Sequence, residues 1–149
     1  FDTIDLSSYV DPLHSKAFKV VTASIQIMPS DSFGLMMDSG TNAMSIGMQI
    51  VTGTQSTMIS PKNGKVVYHK FATYNNDADG GPFVWQQYDF KVEDLWPDGY
   101  YVVIDSLTCG VQSTTDFSAD DLRIVYTVTG YQVSVSSNQL ASLLVAQTN

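Results

Sequence analysis

The stretch Leu122-Arg123-Ile124-Val125-Tyr126-Thr127-Val128-Thr129-Gly130-Tyr131-Gln132-Val133-Ser134-Val135 decides the fold class. Leu122, Ile124, Tyr126 and Val128 recur at every second position, the period of a strand with one buried face. Beyond Gly130 the phase inverts to Tyr131, Val133 and Val135. One extra residue at a glycine exchanges the two faces, so the stretch reads as a long strand with a bulge or corner at Gly130, where it changes sheet.

The same period runs through the rest of the chain. Ala23, Ile25 and Ile27 alternate with Ser24 and Gln26; Met44, Ile46, Met48 and Ile50 alternate with Ser45, Gly47 and Gln49; Tyr88, Phe90 and Val92 alternate with Asp89 and Lys91. Thr3–Leu6, Val66–Tyr74 and Tyr100–Leu107 add strands, the last two rich in β-branched and aromatic residues. Turn signals separate them at Pro29–Asp31, Asp38–Asn42, Pro61–Gly64, Asn75–Pro82 and Pro97–Gly99. Only the tail has a helical period, with Leu140, Leu143 and Leu144 on one stripe behind a Ser136/Gln139 capping box. The expectation is an all-β, antiparallel two-sheet sandwich of about eight strands, with Ile25, Ile27, Ile46, Met48, Phe90, Ile124 and Tyr126 inward. At most one short C-terminal helix accompanies it, in a single domain over residues 1–149. The leucine stripe must be buried over an open sheet end or against a neighbouring subunit, and we expect the neighbour.

Composition narrows the function classes. With 7 Lys+Arg against 15 Asp+Glu the formal charge is −8, and the basic residues are scattered without an arm or stripe. Direct nucleic-acid binding, which needs clustered Lys and Arg to displace counterions, is not expected. Charged residues make up 15% of the chain against roughly 25% in ordinary domains, so Ser, Thr, Asn, Gln and Gly must cover the surface. Apolar content of 44% argues against disorder, and no stretch reaches the roughly 20 apolar residues of a spanning helix. The chain opens on Phe1, which points to a segment upstream.

Eight strands fit a jelly roll or another Greek-key sandwich. The stretch Phe18-Lys19-Val20-Val21-Thr22-Ala23-Ser24-Ile25-Gln26-Ile27-Met28-Pro29, followed by Ser30-Asp31-Ser32-Phe33-Gly34, resembles an early strand of single jelly-roll viral capsid proteins. Gly99–Cys109 and Asp121–Val135 resemble the closing strand pair of such shells. The resemblance is one of layout. It implies an eight-stranded jelly roll, a structural role in a virion and calcium between subunits. The basic arm with which many such proteins contact the genome is absent, so it lies upstream of Phe1 or this is a projecting or outer-shell domain.

Few residues offer chemistry. Asn75, Asp77 and Asp79 at alternate positions before Gly80 match the opening of a calcium loop. Its closing Glu is missing, Gln86 standing there, and the competing reading is a polar hairpin loop. Asp116, Asp120 and Asp121 form a second acidic group, read as solvated turn residues rather than an acid/base pair with Glu93 or Asp94. His14 and His69 with the single Cys109 do not make a zinc set, and Gly-x-Ser-x-Gly and phosphate loops are missing. Cys109 reads as a buried small hydrophobe and His69 as a cross-strand hydrogen-bonding residue. Trp85, Trp96, Tyr100 and Tyr101 read as core or interface residues, with a sugar-stacking platform as the rival. Met36, Met37, Met44 and Met48 crowd one region and suit an intersubunit seam.

The leading expectation is a structural virion protein, not an enzyme: a capsid or outer-shell subunit that associates with copies of itself and with other shell proteins, with glycan or host-receptor contact as a further partner. A secreted carbohydrate-binding sandwich is the alternative. No cofactor is expected except calcium.

Overall fold

A computed structural model describes residues 1–29, 43–75, 84–114 and 122–148. The elements are β1 (Asp2–Asp5), β2 (Lys16–Pro29), β3 (Ala43–Thr52), β4 (Val66–Asn75), β5 (Val84–Phe90), α1 (Val92–Leu95), β6 (Tyr100–Val102), β7 (Ser106–Ser113), β8 (Leu122–Ser134) and α2 (Ser137–Thr148). They form an all-β, two-sheet antiparallel sandwich with one short C-terminal helix. The large sheet has the order β1-β7-β3-β4-β5 and the small one β6-β2-β8. Within the large sheet β3, β4 and β5 follow one another while β7 returns beside β3, the strand order of a Greek key.

The core lies between the sheets. Ile46, Met48 and Ile50 of β3, Val67, Tyr68 and Ala72 of β4, and Leu107 and Cys109 of β7 meet Phe18, Val20 and Ile25 of β2 and Tyr100 and Val102 of β6. Ile27, Ile124, Tyr126 and Val128 pack against this cluster with part of their surface exposed. Alternation thus reports the buried face correctly for β2, β3 and the first half of β8.

At Gly130 the structure differs from the sequence reading. β8 stays in the small sheet throughout and has no extra residue. The bulge sits on its partner: Val20 faces Gly130 and Thr22 faces Thr129, which leaves Val21 unmatched. Core-facing residues of β2 accordingly switch parity, from Phe18 and Val20 to Ala23, Ile25 and Ile27. Gly130 is needed for close approach, since a Cβ there would lie 2.1 Å from the Lys19 carbonyl oxygen. The phase inversion in β8 has another cause. Val133 and Val135 belong to the reverse face of the sheet, which is apolar because α2 covers it.

The change of sheet occurs instead inside Tyr100–Leu107. That segment is two strands, β6 in the small sheet and β7 in the large one, joined by a corner at 103–105. The corner's backbone is satisfied from outside: Leu6 N donates to the Asp105 carbonyl at 2.7 Å and Val103 N to Gln147 Oε1 at 3.0 Å. Gln147 Nε2 donates in turn to the Tyr101 carbonyl at 2.5 Å.

These bonds also settle where α2 packs. Ser136 Oγ accepts from Gln139 N at 3.2 Å, as the capping box requires. Leu140, Leu143 and Leu144 then rest on Ala17, Val103 and Val135 of their own sandwich. The expectation that the stripe docks on a neighbour is therefore overturned.

Phe90 is the second correction to the expected core. It is 45% exposed and Tyr88 is 56% exposed. Opposite β4, Phe90 pairs with His69 and Tyr88 with Phe71, whereas Asp89 pairs with Lys70 and Gln87 with the core residue Ala72. Tyr88 and Phe90 thus point to the outer face, and Gln87 and Asp89 point inward. Val92, the last member of that alternation, starts α1 and is buried.

Candidate functional site

The two sheets differ in width; among the described residues β1 and β8 are the edge strands on one flank, and β5 with part of β2 on the other. On the β7 side Tyr126 of β8 reaches across the sandwich and donates its hydroxyl to the Gly110 carbonyl at 3.0 Å. On the other side β6 pairs only with Phe18–Val20 of β2. From Thr22 to Pro29 that edge of β2 faces no strand among the described residues, and neither does the outer edge of β5.

Between these two edges lies a polar cluster. Lys70, on the inner face of β4, donates its ammonium to the Ile25 carbonyl of β2 at 2.9 Å and lies 3.7 Å from Asp89 Oδ1. The Tyr68 hydroxyl donates to the same Asp89 oxygen at 2.9 Å. Burial, with the neighbouring Asp89 carboxylate, pushes the Tyr68 hydroxyl above its ordinary range, so it stays a donor. The cluster serves the fold: Lys70 caps a carbonyl at the unpaired edge of β2, and Asp89 neutralises it.

A contrasting surface lies on the reverse of the same strands. Tyr88, Phe90, Phe71 and His69 share the outer face of the large sheet, where the Phe90 ring lies 5.9 Å from that of His69. Burial lowers the proton affinity of His69, whose Nδ1 has no hydrogen-bond partner among the described residues. Toward β7 the loop after β3 crosses this face, held by Gln49, whose amide donates to the Ile59 carbonyl at 2.5 Å and accepts from Ile59 N at 3.1 Å.

Asp77, Asp79, Asp116, Asp120, Asp121, Met36 and Met37 lie outside the described residues. Of Asn75 only its place at the end of β4 is described, opposite Ala43 and Val84. Thr114, where the 115–121 segment departs, is bonded to Ser45 two residues along β3 from Ala43. Ala43, Asn75, Val84 and Thr114, the described residues of the large sheet that border the 30–42, 76–83 and 115–121 segments, thus lie at one end of that sheet. By sequence those segments contain Asp31, Asp38, Asp77, Asp79, Asp116, Asp120 and Asp121 and no Lys or Arg.

His14 is exposed in the turn before β2, its Nδ1 2.6 Å from Asp11 Oδ2, and the structure does not bring it to His69. Among the described residues no three His, Cys, Asp or Glu side chains gather as a metal set. Cys109 is buried, and burial pushes its thiol up to about 12, against thiolate chemistry. Trp96 and Tyr100 turn inward. Their rings meet edge to face at 5.0 Å, the Trp96 indole donates to the Val66 carbonyl at 3.3 Å, and the Tyr100 hydroxyl donates to the Gly64 carbonyl at 2.7 Å. No sugar platform therefore forms at the Pro97-Asp98-Gly99 turn from these two rings. Met48 is core. Lys70 was legible as an odd member of a strand otherwise rich in β-branched and aromatic residues, but its partners were not.

The chain matches no family model, no curated protein and no solved structure.

Proposed function

We propose that this protein is a structural subunit of a virion, a shell or projecting domain, and that it associates with copies of itself through the β5 edge. The observation that carries this reading is the character of that edge. Sheet edges in monomeric proteins are blunted by shortness, by Lys or Pro, or by inward charge, because unpaired backbone groups invite another strand. β5 has seven residues, no Pro and no Lys, and its one charge, Asp89, is matched by Lys70 within the sandwich. Its outward side chains include the exposed Tyr88 and Phe90, the residue types that anchor interfaces. The virion setting rests on the strand layout that resembles jelly-roll shells and on the sparse surface charge, which lowers repulsion between many copies.

Size-exclusion chromatography with light scattering, followed by electron microscopy, tests this. The expected outcome is a symmetric oligomer or particle that dissociates in the Tyr88→Lys/Phe90→Lys variant and persists in an Asp2→Lys/Thr3→Lys variant of β1. A chain monomeric at every concentration refutes it and turns attention to a secreted binding module. Calcium at Asn75, Asp77 and Asp79 belongs to the same proposal, since that loop leads directly into β5. Chelation should then lower the melting temperature of the assembly, and Asp77→Ala/Asp79→Ala should abolish the response. An identical melting curve with and without chelator removes calcium from the proposal.

A further inference from the structure

Gly47 occupies the middle of β3, where glycine costs stability through backbone entropy and the lack of a side chain to pack. The fold requires another strand glycine, Gly130, where a Cβ would enter the β2 backbone, and at Gly110 a Cβ would lie 2.6 Å from the Phe1 ring, which would have to shift. Gly47 is different. Its φ is not positive, and a Cβ there would make one ordinary contact, 3.5 Å from Met58 Cε. What the missing side chain does create is a notch in the outer face of the large sheet.

The notch has a definite chemistry. In register Gly47 lies between Phe71 on β4 and Gln112 on β7, with Ser45 and Thr114 forming the next row. Met58 closes the opposite side, and the depression has a volume of about 210 Å³. That is below the roughly 300 Å³ at which ordinary small-molecule pockets begin, a size for one ring rather than a drug-sized ligand. Its floor is the glycine backbone, its walls are an aromatic ring and a thioether, and its rim is amide and hydroxyl. None of the lining residues carries a charge.

We propose that the Gly47 notch is a binding subsite for a single neutral pyranose ring. The sugar's apolar C–H face lies against Phe71 and its hydroxyls meet the Gln112 amide at the rim. A neutral sugar is favoured over a sialylated or sulfated one because the lining offers no cation and the chain carries a net charge of −8. This goes beyond self-association and uses none of the β5 residues tested for it, so either proposal can fail alone.

Saturation-transfer NMR with glucose, galactose, mannose and N-acetylglucosamine as probes decides the matter. At least one of these sugars should bind in the millimolar range, with magnetisation arriving from Phe71 and Met58. Gln112→Ala should weaken that binding several-fold. Gly47→Val should abolish it while the melting temperature is unchanged or raised, because it fills a notch the fold does not need. No transfer from any of the four sugars overturns the proposal, as does binding that survives Gly47→Val. If Gly47→Val leaves sugars unaffected but dissociates an oligomer, the notch is a subunit contact and the proposal is wrong.

Discussion

The two flanks of the sandwich are closed by different means. On the β1/β8 flank the edge strand of the large sheet is four residues long with an aspartate at each end, and its sequel Leu6 is bonded to the Asp105 carbonyl. Behind it Tyr126 ties β8 to β7, and the bulge at Val21 presses the β2 backbone onto Gly130. On the β5/β2 flank the edge strand is seven residues long, and the described contact across the gap is Lys70 on the Ile25 carbonyl, with Asp89 beside it. The β1/β8 flank combines backbone fit at Gly130 with the Tyr126 bond, and the β5/β2 flank is tethered by the Lys70 side chain. Backbone fit holds its strands in place directly, whereas a side-chain tether can move without the backbone.

Substitutions on each flank should separate the two kinds of closure. The largest effect belongs to Gly130→Ala, whose Cβ would stand 2.1 Å from a backbone oxygen that cannot step aside. A loss of about 3 kcal/mol is expected from such overpacking, read as a fall in the urea midpoint. On the other flank Lys70→Met should cost about 1–2 kcal/mol, because it strips the Ile25 carbonyl of its donor and leaves Asp89 with Tyr68 alone. The partial exposure of Asp89 keeps that figure below the cost of breaking a fully buried ion pair. Tyr126→Phe, which deletes only the hydroxyl bridge to Gly110, should cost about 1 kcal/mol. A Lys70→Met cost as large as that of Gly130→Ala would show that the side-chain tether is as essential as the backbone fit.

How far sequence could foresee this depended on whether a pattern has one physical cause. Alternation in β2 and β3 has one, a single buried face, and Ile25, Ile46 and Met48 are core as expected. In β8 the same alternation merges two causes. Ile124 and Tyr126 answer to the sandwich interior and Val133 and Val135 to α2, so a change in what covers the strand imitated a bulge. The real bulge left its trace on β2, where Phe18 and Val20 give way to Ala23 and Ile25. In β5 the alternation is present but its direction is reversed: among the described residues β5 packs chiefly on β4, and its inner face holds Asp89 rather than Phe90. Direction depends on the strand's neighbours, a long-range property absent from any local window. Gly47 looked like one polar-phase residue among others, and only the contacts of the other glycines show that it is dispensable to the fold.

The smallest expected effect concerns pH, and it sharpens the contrast from the β5 side. His69 lies under the Phe90 ring of the open edge, opposite the neutral Gln49, and burial alone depresses its pKa from the ordinary 6.5. The unfolded chain therefore binds a proton at a higher pH than the folded one. By linkage, stability is fully present above about pH 6.5 and declines as pH falls from there toward the depressed folded value. The exposed carboxylates Asp5 and Asp11, both lowered from 3.8 by hydrogen bonds, act in the same direction but only at lower pH. Urea midpoints measured from about pH 8 to about pH 5 should fall in the wild type, and His69→Gln should flatten that slope. Native-state hydrogen exchange should place the acid-induced loosening in β4 and β5 and leave β1 and β7 unchanged. Loosening shared equally by both edges would mean that the proton acts on the sandwich as a whole, and the distinction between its flanks would not extend to their titration.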